Sequence, residues 1–149
     1  MIKLGENALA AKDFLATVTT EQKNKALLAI AAALRENGET IILENKKDLE
    51  NGKAAGLNDG LLDRLMLNEA RINDIASAAE NVASLPDPCG RLLDEIKRPN
   101  GLDIKKISVP IGVIGIIYEA RPNVTVDAAG LCLKSSNAVI LRGGKEAIN

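Results

Sequence analysis

Apolar positions recur at helical spacing through roughly the first ninety residues and then give way to short continuous apolar runs. Leu4, Ala8, Ala11, Leu15 and Val18 follow 4-3-4-3 spacing, which puts them on one face of a helix. Thr19 and Gln22 have the Thr-x-x-Gln form of a capping box and predict a second helix, striped by Leu27, Ile30, Ala31 and Leu34. Asn37-Gly38 predicts its end by a left-handed stop. A third, more polar helix is expected from about Glu39 to about Ala55, with Gly52 weakening it. Asn68 has the chemistry of an N-cap, and Ile72, Ile75, Ala76, Ala79 and Val82 stripe the helix it opens. Leu85-Pro86-Asp87-Pro88 ends that helix, because neither proline suits a helix interior.

The second part reads differently. Thirteen of the 22 Ile and Val residues fall in the last 49 positions, whereas Ala and Leu dominate earlier. Strand formers therefore follow helix formers. Glu95 to Arg98 and Leu102 to Ser108 flank Pro99-Asn100-Gly101, which predicts a β-hairpin. The run from Gly112 to Tyr118 is apolar on both pleat faces, the pattern of a strand buried inside a sheet. Val124 to Ser135 predicts a helix and Ala138 to Leu141 a second apolar strand. Strand, helix and strand make a βαβ unit, which implies a parallel pair covered by helices. The fold class is α/β: a helical N-terminal region, a β-hairpin and a partial parallel sheet.

Composition narrows the chemistry. Nineteen Lys+Arg against twenty Asp+Glu give a formal charge of −1, without the basic excess of a nucleic-acid platform. Phe14 and Tyr118 are the only aromatics, so base-stacking surfaces are nearly absent. With no histidine, Ser-His-Asp and Cys-His catalysis and His-ligated zinc are excluded within these residues. Cys89 and Cys132 are too few for a disulfide scaffold, and two free thiols suit a reducing, cytoplasmic setting. No signal-peptide pattern opens the chain, and the run from Ile107 to Tyr118 is too short to span a bilayer.

Ligands of open parallel sheets sit beyond the carboxyl ends of the strands. Two polar clusters occupy those ends, Tyr118-Glu119-Ala120-Arg121-Pro122-Asn123 and Arg142-Gly143-Gly144-Lys145-Glu146. Glycines permit close backbone approach, Arg forks onto phosphate oxygens and Lys adds a point charge. This suits a phosphorylated ligand such as the adenosine end of NADPH; a glycine turn with two solvated cations reads equally well. Gly112-x-x-Gly115 reads as easing strand packing. The Asn123 amide can support an oxyanion, or Asn123 is a plain N-cap. Arg121 can meet a substrate carboxylate, or pair with Glu119. Cys132, between Leu131 and Leu133, reads as a buried small hydrophobe, and Cys89 lacks the electropositive pocket that a reactive thiol needs.

The run Val109-Pro-Ile-Gly-Val-Ile-Gly-Ile-Ile-Tyr-Glu-Ala-Arg-Pro-Asn-Val-Thr-Val-Asp-Ala-Ala129 resembles the γ-glutamyl phosphate reductases, within the aldehyde dehydrogenase superfamily. Its continuation Leu131-Cys-Leu-Lys-Ser-Ser-Asn-Ala-Val-Ile-Leu-Arg-Gly-Gly-Lys-Glu-Ala147 is similar to the same family. So is Leu85-Pro-Asp-Pro-Cys-Gly90, although Cys89 stands where an aliphatic residue is expected. The resemblance implies a Rossmann-like cofactor domain, a separate catalytic domain and a β-hairpin oligomerisation element. It further implies NADPH-dependent reduction of L-glutamyl 5-phosphate to glutamate 5-semialdehyde and phosphate in proline biosynthesis, through a cysteine thioester. By resemblance, Arg142, Gly143, Gly144, Lys145 and Glu146 meet the adenosine ribose and its phosphate, with Arg142 and Lys145 on the 2′-phosphate. Asn123 resembles the superfamily's oxyanion asparagine.

The resemblance puts the nucleophilic cysteine downstream of the Leu-Arg-Gly-Gly-Lys-Glu motif. Residues 1–149 are therefore expected to be an N-terminal portion, an incomplete NADPH-binding domain without the catalytic domain and inactive alone. Its parts are a helical stretch over 1–90, a hairpin arm over about 94–108 and a βαβ unit over about 111–142. The expected partners are glutamyl 5-phosphate and further copies of the chain through the hairpin arm, with no nucleic acid and no membrane. The alternative is a non-enzymatic interaction or oligomerisation module, and a less favoured one is a split enzyme completed by a second chain.

Overall fold

A computed structural model describes residues 2–119 and 121–149. Helix α1 (Ile2–Leu15) carries the expected face, but only Ala8 on it is fully buried; Leu4 is exposed and Val18 follows the helix. Helix α2 (Thr20–Glu36) starts as the capping box requires. The Thr19 hydroxyl accepts the Gln22 N–H at 3.2 Å, and Gln22 Oε1 accepts the Thr19 N–H at 2.9 Å. Its end corrects the expectation of a left-handed stop at Asn37-Gly38. Asn37 has φ −101° and ψ 12°, and Gly38 already opens α3 (Gly38–Ala54). The left-handed stop comes one helix later, at Gly56 with φ +79°. There Leu57 N–H donates to Gly52 O and Gly56 N–H to Lys53 O, both at 3.0 Å, the Schellman pattern. Gly52 is buried, and a Cβ there would lie 2.9 Å from Leu57 Cδ1.

A short helix, α4 (Asp59–Leu65), is capped by Asn58, whose side chain accepts the Leu61 N–H at 2.9 Å. Asn68 caps α5 (Glu69–Ser84) in the same way through the Arg71 N–H at 2.8 Å. The α5 stripe buries Ile72, Ile75, Ala76, Ala79 and Ala83. Small residues bring α2 and α5 together, with Ala31, Ala76 and Ala79 forming the core and Leu34 and Val126 against it. Arg35 of α2 forks onto the Glu80 carboxylate of α5 at the rim.

The hairpin consists of β1 (Leu92–Lys97) and β2 (Asp103–Ile107), antiparallel, with Ile96 opposite Ile104 and Leu92 opposite Ile107. Gly101 at φ +83° closes the turn, its N–H donating to Arg98 O at 3.0 Å. Every residue of both strands is exposed. Next, β3 (Val113–Ile117), α6 (Pro122–Lys134) and β4 (Ala138–Arg142) form the βαβ unit, with β3 and β4 parallel from Val113/Ala138 to Ile117/Arg142. α6 starts at Pro122, two residues before the expected Val124, because proline is pre-organised for the first helical position. The partial sheet expected for β3 has two strands among the described residues, and Gly115 and Ile117 are exposed, since an apolar run is buried on both faces only where both are covered. α1 and α6 pack on β4 and supply the cover that exists.

A polar clamp joins these parts. The Lys23 ammonium of α2 is 2% exposed and meets Asp87 Oδ2 at 2.5 Å and Ser136 Oγ at 3.0 Å. Asp87 also accepts the Thr20 hydroxyl at 2.6 Å and the Cys89 N–H at 2.9 Å. Lys134 of α6 donates to Asn24 Oδ1 at 2.6 Å and to Ala83 O, at the end of α5, at 2.8 Å. Partial burial pushes the Asp87 carboxyl up, but its bonds from Lys23, Thr20 and Cys89 outweigh burial and hold it at about 2, against an ordinary 3.8. A depressed carboxyl contributes stability that is full above its unfolded value and is lost as pH falls through the folded one. Urea unfolding between pH 7 and pH 2 should show this contribution, on the order of 2 kcal/mol, disappearing below pH ~4. Asp87→Asn should be less stable at pH 7 and lose that part of the acid dependence; an unchanged profile would remove Asp87 from the clamp.

Candidate functional site

The carboxyl ends of β3 and β4 open on one side of the molecule. Tyr118 continues the β3 ladder, its N–H donating to Arg142 O at 3.1 Å. Its hydroxyl bonds Thr125 Oγ1 of α6 at 2.6 Å, and its ring lies 3.5 Å from where a Gly143 Cβ would stand. A Cβ at Gly143 would thus make ordinary van der Waals contact with the tyrosine ring. At Gly144 a Cβ would overlap the Glu146 carboxylate, which folds back over the glycine. Glu146 Oε2 is buried there and has no hydrogen-bond partner among the described residues. An orphaned buried acceptor of this kind is rare and calls for a donor.

A cleft of about 470 Å³ lies against these glycines, walled also by Ile41 of α3, Ile75 of α5, Tyr118, Arg121 and Val126. The buried Asp48 of α3 pins the far end of the glycine segment. Its Oδ1 accepts the N–H groups of Ile148 and Asn149 at 3.3 and 3.2 Å and the Asn149 amide at 2.7 Å. Of the five residues expected at the cofactor, Gly143 and Gly144 line the cleft, while Arg142, Lys145 and Glu146 are not among its walls. Arg142 and Lys145 are exposed and make no ion pair among the described residues.

A second cleft, of about 460 Å³, shares Leu67, Ile75, Arg121 and Pro122 with the first. Arg64, Arg71, Asp74, Asn123 and Asp127 also face it. Asn123 is not an N-cap: Arg121 holds that position, and Asn123 sits inside the first turn of α6. Its amide donates to Asp127 Oδ2 at 3.0 Å, which leaves its second amide hydrogen available. No Arg121–Glu119 ion pair forms among the described residues, and Ala120 between them lies outside those residues. Sequence reasoning missed Arg64 and Asp74. The one available signal was Asn58, whose capping chemistry announces α4.

Curated proteins similar to the chain include the γ-glutamyl phosphate reductase of Carboxydothermus hydrogenoformans, 57% identical over 149 residues, all of this chain and 36% of that protein. The enzyme of that name from Moorella thermoacetica is 58% identical over 143 residues, 96% of this chain and 34% of its own length. Among solved structures, the γ-glutamyl phosphate reductase of Thermotoga maritima matches with a TM-score of 0.95 at 44% identity, over 98% of this chain and 35% of that one. The enzyme of that name from Saccharomyces cerevisiae gives 0.95 at 36% identity, over 99% and 38%. No protein-family model matches.

The chain belongs to the γ-glutamyl phosphate reductase family. It corresponds to an N-terminal portion and spans little more than a third of the length of the curated relatives it matches. Its α/β fold is that of the solved γ-glutamyl phosphate reductases. No described helix is long and apolar enough to cross a membrane, and no described cluster of His, Cys, Asp or Glu suits a metal ion.

Neither thiol lines either cleft. Cys132 is buried in α6, and desolvation pushes its thiol up. Cys89 is half-buried, and its Sγ donates to Ser135 O at 3.2 Å. An aromatic disulfide reagent at pH 8 should leave Cys132 unmodified in the native protein and label both cysteines after unfolding. Rapid labelling of native Cys132 would show that the α6 packing opens.

Proposed function

We propose that this chain forms part of the ligand-holding frame of an NADPH-dependent reductase that converts L-glutamyl 5-phosphate to L-glutamate 5-semialdehyde and phosphate in proline biosynthesis. The observation that carries the reading is the Glu146 carboxylate oxygen, buried without a donor over Gly144 at the strand ends. Ribose hydroxyls are donors of the right kind for it, and Gly143, which lines the cleft without a side chain, allows a nucleotide to come close. Arg142 and Lys145, exposed on the same segment, suit the 2′-phosphate that distinguishes NADPH from NADH. When bound, NADPH supplies the hydride. Asn123 offers its second amide hydrogen to the developing oxyanion, and Arg121, on the wall between the clefts, attracts the anionic substrate. The two free thiols fit a reducing compartment, the cytoplasm.

Acyl transfer to a thiol needs a thiolate, burial disfavours one at Cys132, and neither cysteine lines the clefts, so the chain by itself is read as inactive. Calorimetry should detect NADPH binding tighter than NADH binding. Gly144→Ala should displace the Glu146 carboxylate and weaken NADPH about tenfold without changing the circular dichroism spectrum. Equal binding of the two nucleotides, or of NADPH to wild type and variant, would argue against the cofactor reading. Formation of NADPH from NADP⁺, glutamate semialdehyde and phosphate by the 149-residue protein would overturn its inactivity.

The hairpin supports a second role, self-association. An isolated two-stranded ribbon is marginal in water, yet this one exposes Leu92, Ile96, Ile104 and Ile107, each at least 40% accessible. Its base is anchored by Ser108, whose hydroxyl donates to Pro88 O at 2.6 Å and accepts the Arg91 N–H at 3.0 Å. Sedimentation should show concentration-dependent association that the Ile96→Lys/Ile104→Lys variant loses. A monomer at all concentrations would remove the arm as a self-association element of this chain.

A further inference from the structure

We propose that Asp48 of α3 is a positioning residue for the nucleotide end of the site: its carboxylate holds the segment over 143–149 in the conformation that receives the cofactor, and through that segment it sets nucleotide affinity. This rests on the cofactor reading above.

The buried residues of α3 are Asn45, Asp48 and Gly52, on one face of the helix. None of them is apolar, so α3 is joined to its neighbours by directional bonds. Asn45 fixes the link between α4 and α5, donating to Leu65 O at 2.9 Å and accepting the Leu67 N–H at 2.7 Å. One turn further on, Asp48 is 4% exposed and forms no ion pair among the described residues. A buried carboxylate without a counter-charge is costly, and an apolar side chain of similar size would serve packing better. What compensates Asp48 is three donors on one oxygen. Oδ1 accepts the Ile148 N–H at 3.3 Å, the Asn149 N–H at 3.2 Å and the Asn149 side-chain amide at 2.7 Å. Successive backbone N–H groups that converge in this way make an anion-binding concavity. A side chain from a helix about a hundred positions earlier fills this one.

The same segment has its other anchor at the sheet, where the Tyr118 N–H donates to Arg142 O at 3.1 Å. Between the two anchors, residues 143–147 make no backbone hydrogen bond with the rest of the chain among the described residues. Their conformation is therefore set from the ends. Gly143 and Gly144 line the glycine cleft at one end, and Asp48 and Asn149 line it at the other. In the middle, Glu146 folds back over Gly144 and keeps its unpartnered Oε2 away from water. Releasing the far end would let that carboxylate turn out to solvent, and the nucleotide would lose an acceptor set in place before it arrives. Preorganisation of this kind raises affinity by lowering the ordering cost of binding.

The test compares the 149-residue chain with its Asp48→Ala and Asp48→Asn variants by NADPH calorimetry and amide-resolved NMR. Asp48→Ala should weaken NADPH about tenfold, with shift changes over 143–149 and unchanged spectra for α2 and α5. Asp48→Asn keeps an acceptor oxygen without the charge, and its affinity should lie between the other two. Wild-type NADPH affinity in Asp48→Ala overturns the proposal alone and leaves the cofactor reading standing. Weakening accompanied by shift changes throughout α2 and α5 also overturns it, since Asp48 would then support the whole fold. No NADPH binding by the wild-type chain overturns the cofactor reading and the proposal with it. If Asp48→Ala does not fold, Asp48→Asn decides: reduced affinity in the folded variant supports the positioning role, and wild-type affinity overturns it.

Discussion

The arrangement of this protein depends on a lysine ammonium removed from water. Lys23 is 2% exposed, and stripping a charge of its hydration costs several kcal/mol unless partners replace the lost water. Its partners come from distant parts of the chain: Asp87 from the proline loop below the hairpin, Ser136 from the turn between α6 and β4. These segments must meet around α2 for the lysine to be satisfied. Ser136 shows how strong the requirement is. It sits at φ +56°, a left-handed position that glycine would take without strain, yet a serine hydroxyl is needed there for Lys23. Burial holds the neighbouring Lys134 below the ordinary lysine range, while Asp87 opposes that shift and Lys23 adds to it. One ionised carboxylate thus balances two buried ammonium groups, so its protonation at low pH affects the whole junction.

The clamp also sets the site. With the α6–β4 turn fixed, β3 and β4 register in parallel and their carboxyl ends emerge together. Tyr118 and Gly143 then meet across the ladder, and α6 begins beside them at Pro122. Gly130 of α6 faces α2 there, where a Cβ would stand 3.4 Å from Leu27 Cδ2. The two clefts meet at Arg121 and Pro122 because both open at this one helix start.

Much of this was legible from local chemistry. The Thr19/Gln22 box, the Asn68 cap, the Pro99-Gly101 turn and the βαβ order all follow from short-range rules, and each forms where those rules put it. Where local rules stop short, the causes are physical too. Asn37-Gly38 has the composition of a left-handed stop, but α3 begins directly at Gly38 and the backbone never enters that region. The run from Val113 to Ile117 has the composition of an interior strand, but burial is a property of neighbours, and this two-stranded sheet leaves Ile117 at 78% exposure. Asn123 was readable as a side chain able to donate, whereas its place inside the first turn of α6 depends on where proline starts the helix.

The sequence by itself determined the element types, the family and the two polar clusters at the strand ends, because caps, turns and periodicity act over a few residues and motifs are contiguous. Tertiary structure decided which of those polar residues share a space. It separated Arg142 and Lys145 from the walls of the glycine cleft and folded Glu146 over Gly144. It also brought Arg64 and Asp74, from helices that no motif links, to face Arg121. Cleft walls are assembled by packing between elements far apart in the chain, and the buried Lys23 ammonium ties α2 to two of those segments, at Asp87 and Ser136.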